Sequence, residues 1–594
     1  MEYRGYDSSG IAIRNGAGME IVKCAGRIAN LEEKLRKHAP NGHLGISHTR
    51  WATHGKPSDA NAHPHTDASG DLVLVHNGVI ENYQHLRKRL TEQGTTFKSQ
   101  TDTEVLACLI GNIYDELTGN HGKARLLEAV RLGLRQAVGT YGIALFHESV
   151  PGILIGARRG SPLVVGIGKG ENLIASDVSA MVGHTREAIY LQDYDIAILE
   201  KDSFEITTLD GIGSSGYEVS DVDLALEDVS QGEFPHFMLK EIFEQPESLR
   251  DAMRGRLSHE EATAKLGGLN MTPQELREVD RIVLTGCGTA LHAAMVGEYL
   301  IESLAHIPVE IEFASEFRYR NTPIDKNTLV FAVSQSGETA DTLAALRESQ
   351  RKGHRTLGIC NNVASTIARE SDGGVYMHAG PEVGVAATKT FTSQVVCMTL
   401  IGLLLGRIRH LSNSEGMRII QALESLPDLV PRMLEQSEAI RTLALKYAHS
   451  SGMMFLGRQA MYPVALEGAL KMKEISYIHA EGHPSAELKH GVIALISPEM
   501  PSVVVAPRDS VFEKNLSNIE EIKARRGPVI GVGTEHCPEL HAICDDMIEV
   551  PDCPEVIAPV LYAIPLQLFA YHTAVALGCD VDKPRNLAKS VTVE

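Results

Sequence analysis

The stretch Val333-Ser334-Gln335-Ser336-Gly337-Glu338-Thr339-Ala340-Asp341-Thr342 decides the fold. Upstream of it, Thr328-Leu329-Val330-Phe331-Ala332 is β-rich and apolar, which predicts a buried strand of a parallel sheet. Downstream, Ala340, Leu343, Ala344 and Leu346 recur at helical spacing, and Gly353 offers a stop. The turn between strand and helix gathers the hydroxyls of Ser334, Ser336 and Thr339, the amide of Gln335 and a glycine. Free backbone N–H groups and the positive end of the helix dipole favour an anion there. Each charge-assisted hydrogen bond to a phosphate would contribute about 1.5–3 kcal/mol. A Ser/Thr-rich N-cap with no ligand uses the same residues, so the turn alone leaves both readings open.

Composition narrows the function classes. A chain of 594 residues is long enough for roughly four domains of about 150 residues. Hydrophobic content of 43% supplies several cores. The net charge of −20 argues against a nucleic-acid partner, so an anionic substrate must be caught by local donors. Nine scattered cysteines without a C-x-x-C pair indicate reduced thiols and a cytoplasmic location. No signal peptide and no apolar run of about 18 residues is seen, so no membrane partner is expected. The richest segment, Val395 to Leu405, reads as a buried helix.

Residues 1–215 carry short β-type runs such as Leu72-Val73-Leu74-Val75 and Gly142-Ile143-Ala144-Leu145-Phe146, with helices predicted over 83–93 and 102–114. This composition suits an α/β sandwich. Residues 216–237 are acidic and apolar-poor at their start and read as a linker. From Met238 helices alternate with buried strands, the pattern of a doubly wound parallel sheet. That part is duplicated: Ile282–Thr289 and Met453–Arg458 are both strand-to-turn units, each followed by a long helix, a Ser/Glu turn and a second Val-rich strand. The boundaries expected are 238–425 and 426–585 for the two copies, with a tail over 586–594. Ligands bind at the carboxyl ends of such strands.

Ser334–Thr339, Gly286-Cys287-Gly288-Thr289 and the closing Asn586-Leu587-Ala588-Lys589-Ser590-Val591-Thr592-Val593-Glu594 resemble the glutamine–fructose-6-phosphate aminotransferase (glucosamine-6-phosphate synthase) family. The first part resembles its glutamine amidotransferase domain through Tyr3–Ser8, Thr49–Gly55, Asn61–His65, His76–Gly78 and Thr101–Glu104. The resemblance covers the whole chain. It implies an N-terminal-nucleophile-type amidotransferase sandwich, incomplete at its start, followed by two doubly wound sugar isomerase (SIS) domains. It also implies a homodimer, fructose 6-phosphate and glutamine as substrates, and no cofactor. The family starts with a cysteine that attacks glutamine, its own α-amine serving as base. This sequence starts Met1-Glu2-Tyr3-Arg4, and Cys24 lies inside the chain, so the glutaminase is expected to be inactive in the chain as written. The glutamine pocket is otherwise present. The resemblance implies that Arg50 holds the carboxylate, Asp102 the amine, Thr53, His54 and His63 the walls, and Asn77 with Gly78 the oxyanion hole. Trp51 takes the place at which the family gates its ammonia channel.

In the sugar half the resemblance implies Lys589 as the Schiff-base amine, Glu474 as the base moving a proton between C1 and C2, and His490 as the ring-opening histidine acting on a neighbouring subunit. Histidine suits that task because it titrates near working pH. Lys471 lies three residues before Glu474, on the same helical face. The sugar-phosphate contacts implied are Cys287, Gly288, Thr289, Ser334, Gln335, Ser336, Thr339, Val385, Lys471 and Ala588. Ala290 and Ala387 stand where the family has hydroxyls, which removes two individual contacts. The histidines at 48, 54, 63, 65 and 76 lack metal-site spacing, so no metal is expected. Gly286-Cys287-Gly288 lacks the third glycine of a dinucleotide fingerprint. Glutamine-dependent transfer of nitrogen to fructose 6-phosphate is the leading expectation. An ammonia-dependent aminase, a bare isomerase, or a sugar-phosphate sensor without catalysis stand as alternatives.

Overall fold

The computed structural model describes residues 5–16, 18–51, 55–119, 121–211, 216–222 and 230–592. The chain divides into two compact units, one running to Ser230 and taking in Ser590–Glu594, the other Gln231–Lys589.

The first unit is built on a six-stranded antiparallel sheet in the order Phe204–Thr208, Asp195–Leu199, Leu154–Arg159, Gly139–His147, Leu72–Ile80, His65–Thr66. The alternation Leu72-Val73-Leu74-Val75 explains its two sides, because successive strand side chains point to opposite faces. Leu72 and Leu74 join the core beneath the helices Tyr83–Glu92, Asp102–Glu116 and Gly122–Gln136. Val73 and Val75 join a second core with Ala12 and Ile46, from a three-stranded sheet ordered Gly18–Ala25, Ser8–Asn15, Leu44–Arg50. Both helices read from the sequence form. Asp102–Glu116 starts where its signal lies, with Thr101 as N-cap accepting from Glu104 N. Ser220 and Asp221, read as linker, instead pair with Ala188 and Glu187 in a further four-stranded sheet. Ladder pairing gives those backbone groups partners that a polar composition does not reveal.

The second unit contains the duplication. Its two sheets are five-stranded and wholly parallel. One runs Val309–Phe313, Arg281–Gly286, Thr328–Ser334, Arg355–Cys360, Gly373–Tyr376. The other runs His479–Pro484, Gly452–Gly457, Ser502–Ala506, Val529–Thr534, Asp546–Val550. In both, the strand first in sequence lies between the second and the third. The order reverses there, which is where sheets of this kind bind ligands, beyond the strands' carboxyl ends. The helix Asn413–Leu434 carries the chain across residues 425 and 426, and Ser437–Tyr447 follows before the second sheet begins. One continuous core, from Met238 to Val581, joins both copies. Its central helix, Lys389–Arg409, is long and apolar enough to cross a membrane, yet 83% of its apolar window is buried within the protein.

Candidate functional site

In the first unit the strand Leu44–Arg50 carries His48 and Arg50, Leu72–Ile80 carries His76, Asn77 and Gly78, and Asp102 opens a helix. These residues, with Trp51, His63 and Thr103, line one cavity. The predicted Arg50, Trp51, His63, Asn77, Gly78 and Asp102 thus come together, while Thr53 and His54 lie outside the described residues. The histidines hold the pocket's polar groups in place. His48 Nε2 is 3.0 Å from Asn77 Oδ1, and the His48 and His63 rings stack at 4.3 Å. His63 Nε2 and His76 Nδ1 each approach Thr103 Oγ1 at 3.2 Å. Burial pushes His48 down to about 4 and holds His63 well below its ordinary range, so both are neutral at pH 7. A neutral His48 donating from Nε2 occupies Asn77 Oδ1 and leaves the Asn77 NH2 as the donor available to the cavity. Asp102 is fixed by accepting from Ile80 N at 2.8 Å and Thr103 N at 3.0 Å. His48, His76 and Thr103 were not foreseen; His76 and Thr103 each sit one residue from a predicted ligand.

Gly78 has a φ of +138°, and a Cβ there would lie 2.2 Å from the Thr140 carbonyl oxygen on the paired strand. Gly78→Ala is therefore expected to displace the strand at Asn77 and abolish glutamine binding, read by titration calorimetry. Strain of this kind costs about 1–3 kcal/mol before any clash is counted. Unchanged affinity would mean that the pocket does not depend on this backbone.

The second unit places the turns Cys287–Thr289 and Ser334–Thr339, expected from the sequence to hold a sugar phosphate, at the switch point of its first sheet. The strand Arg281–Gly286 ends in the turn to Gly288, whose φ of +55° starts the helix Thr289–Ala305. The neighbouring strand ends at Ser334, and its turn leads to Ala340–Arg351. Ser334 Oγ lies 3.1 Å from Thr339 Oγ1. Gly337 N donates to Ser334 Oγ at 3.0 Å and Glu338 N to Ser336 Oγ at 3.2 Å. Those two N–H groups were expected to be free; a turn this tight satisfies them with its own hydroxyls. Gly337 permits the turn, since its φ is +66° and a Cβ would meet Ser365 Oγ at 2.0 Å.

From the second copy, the helix Met461–Ser476 brings Glu467, Lys471 and Glu474, spaced four and three apart on one face. Lys471 Nζ lies 3.3 Å from Glu467 and 2.7 Å from Glu474, and donates to Thr289 Oγ1 at 2.9 Å. Glu467 also meets Thr289 Oγ1 at 2.9 Å and His292 Nδ1 at 2.8 Å. The Lys471 side chain is 1% exposed and that of Glu467 2%. Burial opposes both charges. The two carboxylates nevertheless hold the Lys471 titration above its ordinary value, and Lys471 with His292 and Thr289 holds Glu467 below. Glu474, half-buried, is the least enclosed of the three. Glu467 and His292 were missed, although Glu467 shares the helical stripe that singled out Lys471.

Lys589 reaches the same unit: its Nζ lies 2.5 Å from Glu382 Oε2, and the side chains are 5% and 0% exposed. Glu382 also accepts from Thr388 N, Thr390 N and Thr390 Oγ1. Burial works against its charge, but Lys589 and these donors keep its carboxyl below the ordinary range. Val385 N donates to the Asp582 carbonyl at 3.1 Å, tying the Glu382–Val385 segment to the chain that leads into Ala588 and Lys589. Cys287 Sγ lies 3.8 Å from Thr342 Oγ1, and burial raises its thiol. His490 ends the turn Ser485–His490 and is exposed, with no hydrogen bond or ion pair among the described residues joining it to Glu474 or Lys589.

The glutamine amidotransferase domain family matches residues 34–199, and the SIS domain family matches residues 275–404 and 446–577. The chain thus joins an amidotransferase domain to a pair of sugar isomerase domains. A glutamine–fructose-6-phosphate aminotransferase (isomerizing) of Chlorobaculum tepidum is 49% identical over 597 residues, covering 100% of this chain and 96% of the relative. The protein of that name from Thermus thermophilus is 48% identical, with the same coverage. Among solved structures, the C-terminal domain of glucosamine-fructose-6-phosphate aminotransferase from Francisella tularensis covers 60% of this chain and all of its own, with 38% identity and a TM-score of 0.57. The chain belongs to the glutamine–fructose-6-phosphate aminotransferase (isomerizing) family.

Proposed function

We propose that the chain transfers the amide nitrogen of glutamine to fructose 6-phosphate with ketose–aldose isomerisation, giving glucosamine 6-phosphate and glutamate, a step of amino-sugar biosynthesis. The observation that carries this reading is the buried Glu467–Lys471–Glu474 stripe of one SIS domain set against Thr289 in the glycine turn of the other. It supplies a base held by a fixed cation beside a phosphate-type turn.

The hydroxyls of Ser334, Ser336 and Thr339 anchor the phosphate, and Cys287, Gly288 and Thr289 let backbone approach the sugar. Lys589, placed by Glu382, attacks C2 of the open-chain ketose as a neutral amine; a C–N bond forms and the carbonyl oxygen leaves as water, and ammonia then adds at C2 and displaces the lysine amine, leaving the nitrogen on the sugar as an imine. Glu474 then moves the proton between C1 and C2, while the Lys471 ammonium stabilises charge developing on the sugar. In the first unit Arg50 and Asp102 grip the ends of glutamine, and Asn77 and Gly78 would stabilise the oxyanion formed once a thiol, the family's starting cysteine that the sequence as written lacks, adds to the amide, a role in which one donor is worth about 3–4 kcal/mol. His490, exposed and with no hydrogen bond or ion pair to Glu474 among the described residues, supports a homodimer in which it opens the sugar ring in the other copy's site. The nine free thiols support a cytoplasmic setting.

Formation of glucosamine 6-phosphate from fructose 6-phosphate, with glutamine or with ammonium as nitrogen source, tests the reading. Product is expected. Absence of product from either source, with sugar phosphate still bound, would overturn it in favour of a sensor. An ammonia-only aminase, a bare isomerase or a sensor suits the activity for which the relatives are named less well than glutamine-dependent transfer.

A further inference from the structure

Upstream of both SIS sheets, the helix Phe237–Phe243 presents Glu241, a carboxyl 2% exposed that the scheme above does not use. Its Oε1 accepts from Val383 N at 2.5 Å and Gly384 N at 3.1 Å. Its Oε2 is buried and has no hydrogen-bond partner among the described residues. Residue 384 makes room for that oxygen, since a Cβ on it would lie 2.9 Å away. Glu382, next in the chain to Val383, grips Lys589. The same short helix gives Phe237 N and Met238 N to Asp582, both at 2.8 Å, and the Asp582 carbonyl takes Val385 N. Thus the segment that holds Lys589 is held by this helix at both ends.

We propose that Glu241 is a positioning residue for Lys589. Through the Val383 and Gly384 N–H groups it fixes the Glu382 carboxylate, and with it the place and protonation of the lysine amine. The inference rests on the reading of Lys589 as the imine-forming amine and deepens it.

The charged groups facing Glu241 explain its state. From the segment preceding the central helix comes Glu382, from the first turn of that helix Lys389, and from the tail Lys589; Lys240 and Glu244 lie beside Glu241 in sequence. The lysines are already engaged: Lys589 with Glu382, Lys389 with Glu244 at 2.8 Å, and Lys240 with Glu244 at 3.3 Å. Asp582 is occupied by the helix N–H groups. Glu241 is therefore a buried carboxyl without a counter-ion, and such a group neutralises itself by keeping its proton. Burial first, and the Glu382 charge second, push it up to about 8.

The sign follows. Below pH about 8 Glu241 is neutral, and Lys589 faces one carboxylate. Above it a second negative charge appears beside Glu382, holds the lysine in its ammonium form and withdraws the neutral amine needed for attack. Imine formation, which otherwise gains from rising pH, should level off and fall.

The test is trapping of the imine between the full chain and fructose 6-phosphate with cyanoborohydride, from about pH 6.5 to about pH 9.5. Hydride transfer to C=N leaves a secondary amine that locks the sugar phosphate on Lys589, read by peptide mass. The wild-type trapping rate should turn down above pH about 8. In Glu241→Gln a carbonyl still takes both N–H groups but nothing ionises. This variant should match wild type within about two-fold at pH 7 and keep rising at alkaline pH. Glu241→Ala, without the anchor, should lose at least about ten-fold at every pH. Superimposed profiles for wild type and Glu241→Gln would overturn the proposal while leaving Lys589 in its role. No trapping on Lys589 in wild type at any pH would overturn the role of Lys589 and the proposal with it.

Discussion

Replacing Lys589 with arginine is expected to abolish glucosamine 6-phosphate formation, by at least about 10³-fold, while the fold survives. The substitution keeps the positive charge that Glu382 needs. Glu382 is fully buried and, besides the lysine, has only N–H and O–H donors among the described residues. A neutral side chain at 589 would leave that carboxylate without a counter-ion in a dry site, confounding loss of chemistry with loss of structure. Arginine avoids this confusion, because a guanidinium stays protonated at any working pH and cannot become the amine nucleophile. Three readouts separate the effects. Product formation and imine trapping should both vanish. Sugar-phosphate binding should persist within about ten-fold, since the proposed anchor is the Ser334–Thr339 turn. The melting temperature should move by no more than roughly a few degrees. Residual turnover within about ten-fold of wild type would show that the amine attacks no carbonyl, and that the Lys589–Glu382 pair is structural.

How much of this was legible in the sequence depended on whether the signal was local. The strand Thr328–Ser334, the turn and the helix Ala340–Arg351 were readable because apolar period, glycine and hydroxyl clustering all lie within one short segment. The duplicated sheets were readable for the same reason, twice over. Lys589 was found only through a resemblance in the tail, since no periodicity marks it. Its partner Glu382 is 207 positions away in sequence, in a loop with no pattern, and was not found at all. Glu241 was hidden differently: its neighbours suggest an ordinary amphipathic helix, and only the packed core reveals an acid with an empty oxygen. Glu467 was legible and overlooked, lying four residues before Lys471 on the same helical face. The cavity expected to take glutamine follows the rule too. Its ligands sit in compact motifs, whereas the supporting contact of His48 with Asn77 joins strands 29 residues apart.

Lys471→Met is expected to unfold the second unit at a markedly lower temperature. Lys471 is the one cation within ion-pair reach of both Glu467 and Glu474 among the described residues, and its side chain is 1% exposed. Taking it away strands one fully buried carboxylate and one half-buried one. Breaking such a pair from one side costs about 3–5 kcal/mol, because the remaining charge keeps its desolvation penalty and loses its compensation. For a unit of this size that corresponds to a fall of about 4–7 °C. Hydrogen bonds from Thr289 and His292 offset part of the cost at Glu467, so the loss should sit near the lower end of the range. The pH dependence has a definite sign. Glu467 titrates below its ordinary value in the folded protein, so its contribution is present above the unfolded carboxylate range and is lost as pH falls through the folded value. Lys471→Met should therefore flatten the acid limb of the stability profile as well as lower its plateau. Neutralising the stranded acid in the double variant Lys471→Met/Glu467→Gln should recover stability relative to the single variant, because an amide needs no counter-ion. Calorimetry of the four proteins of this cycle measures the coupling directly. A near-zero coupling would mean that the stripe is solvated, and that Lys471 does not fix the base it faces.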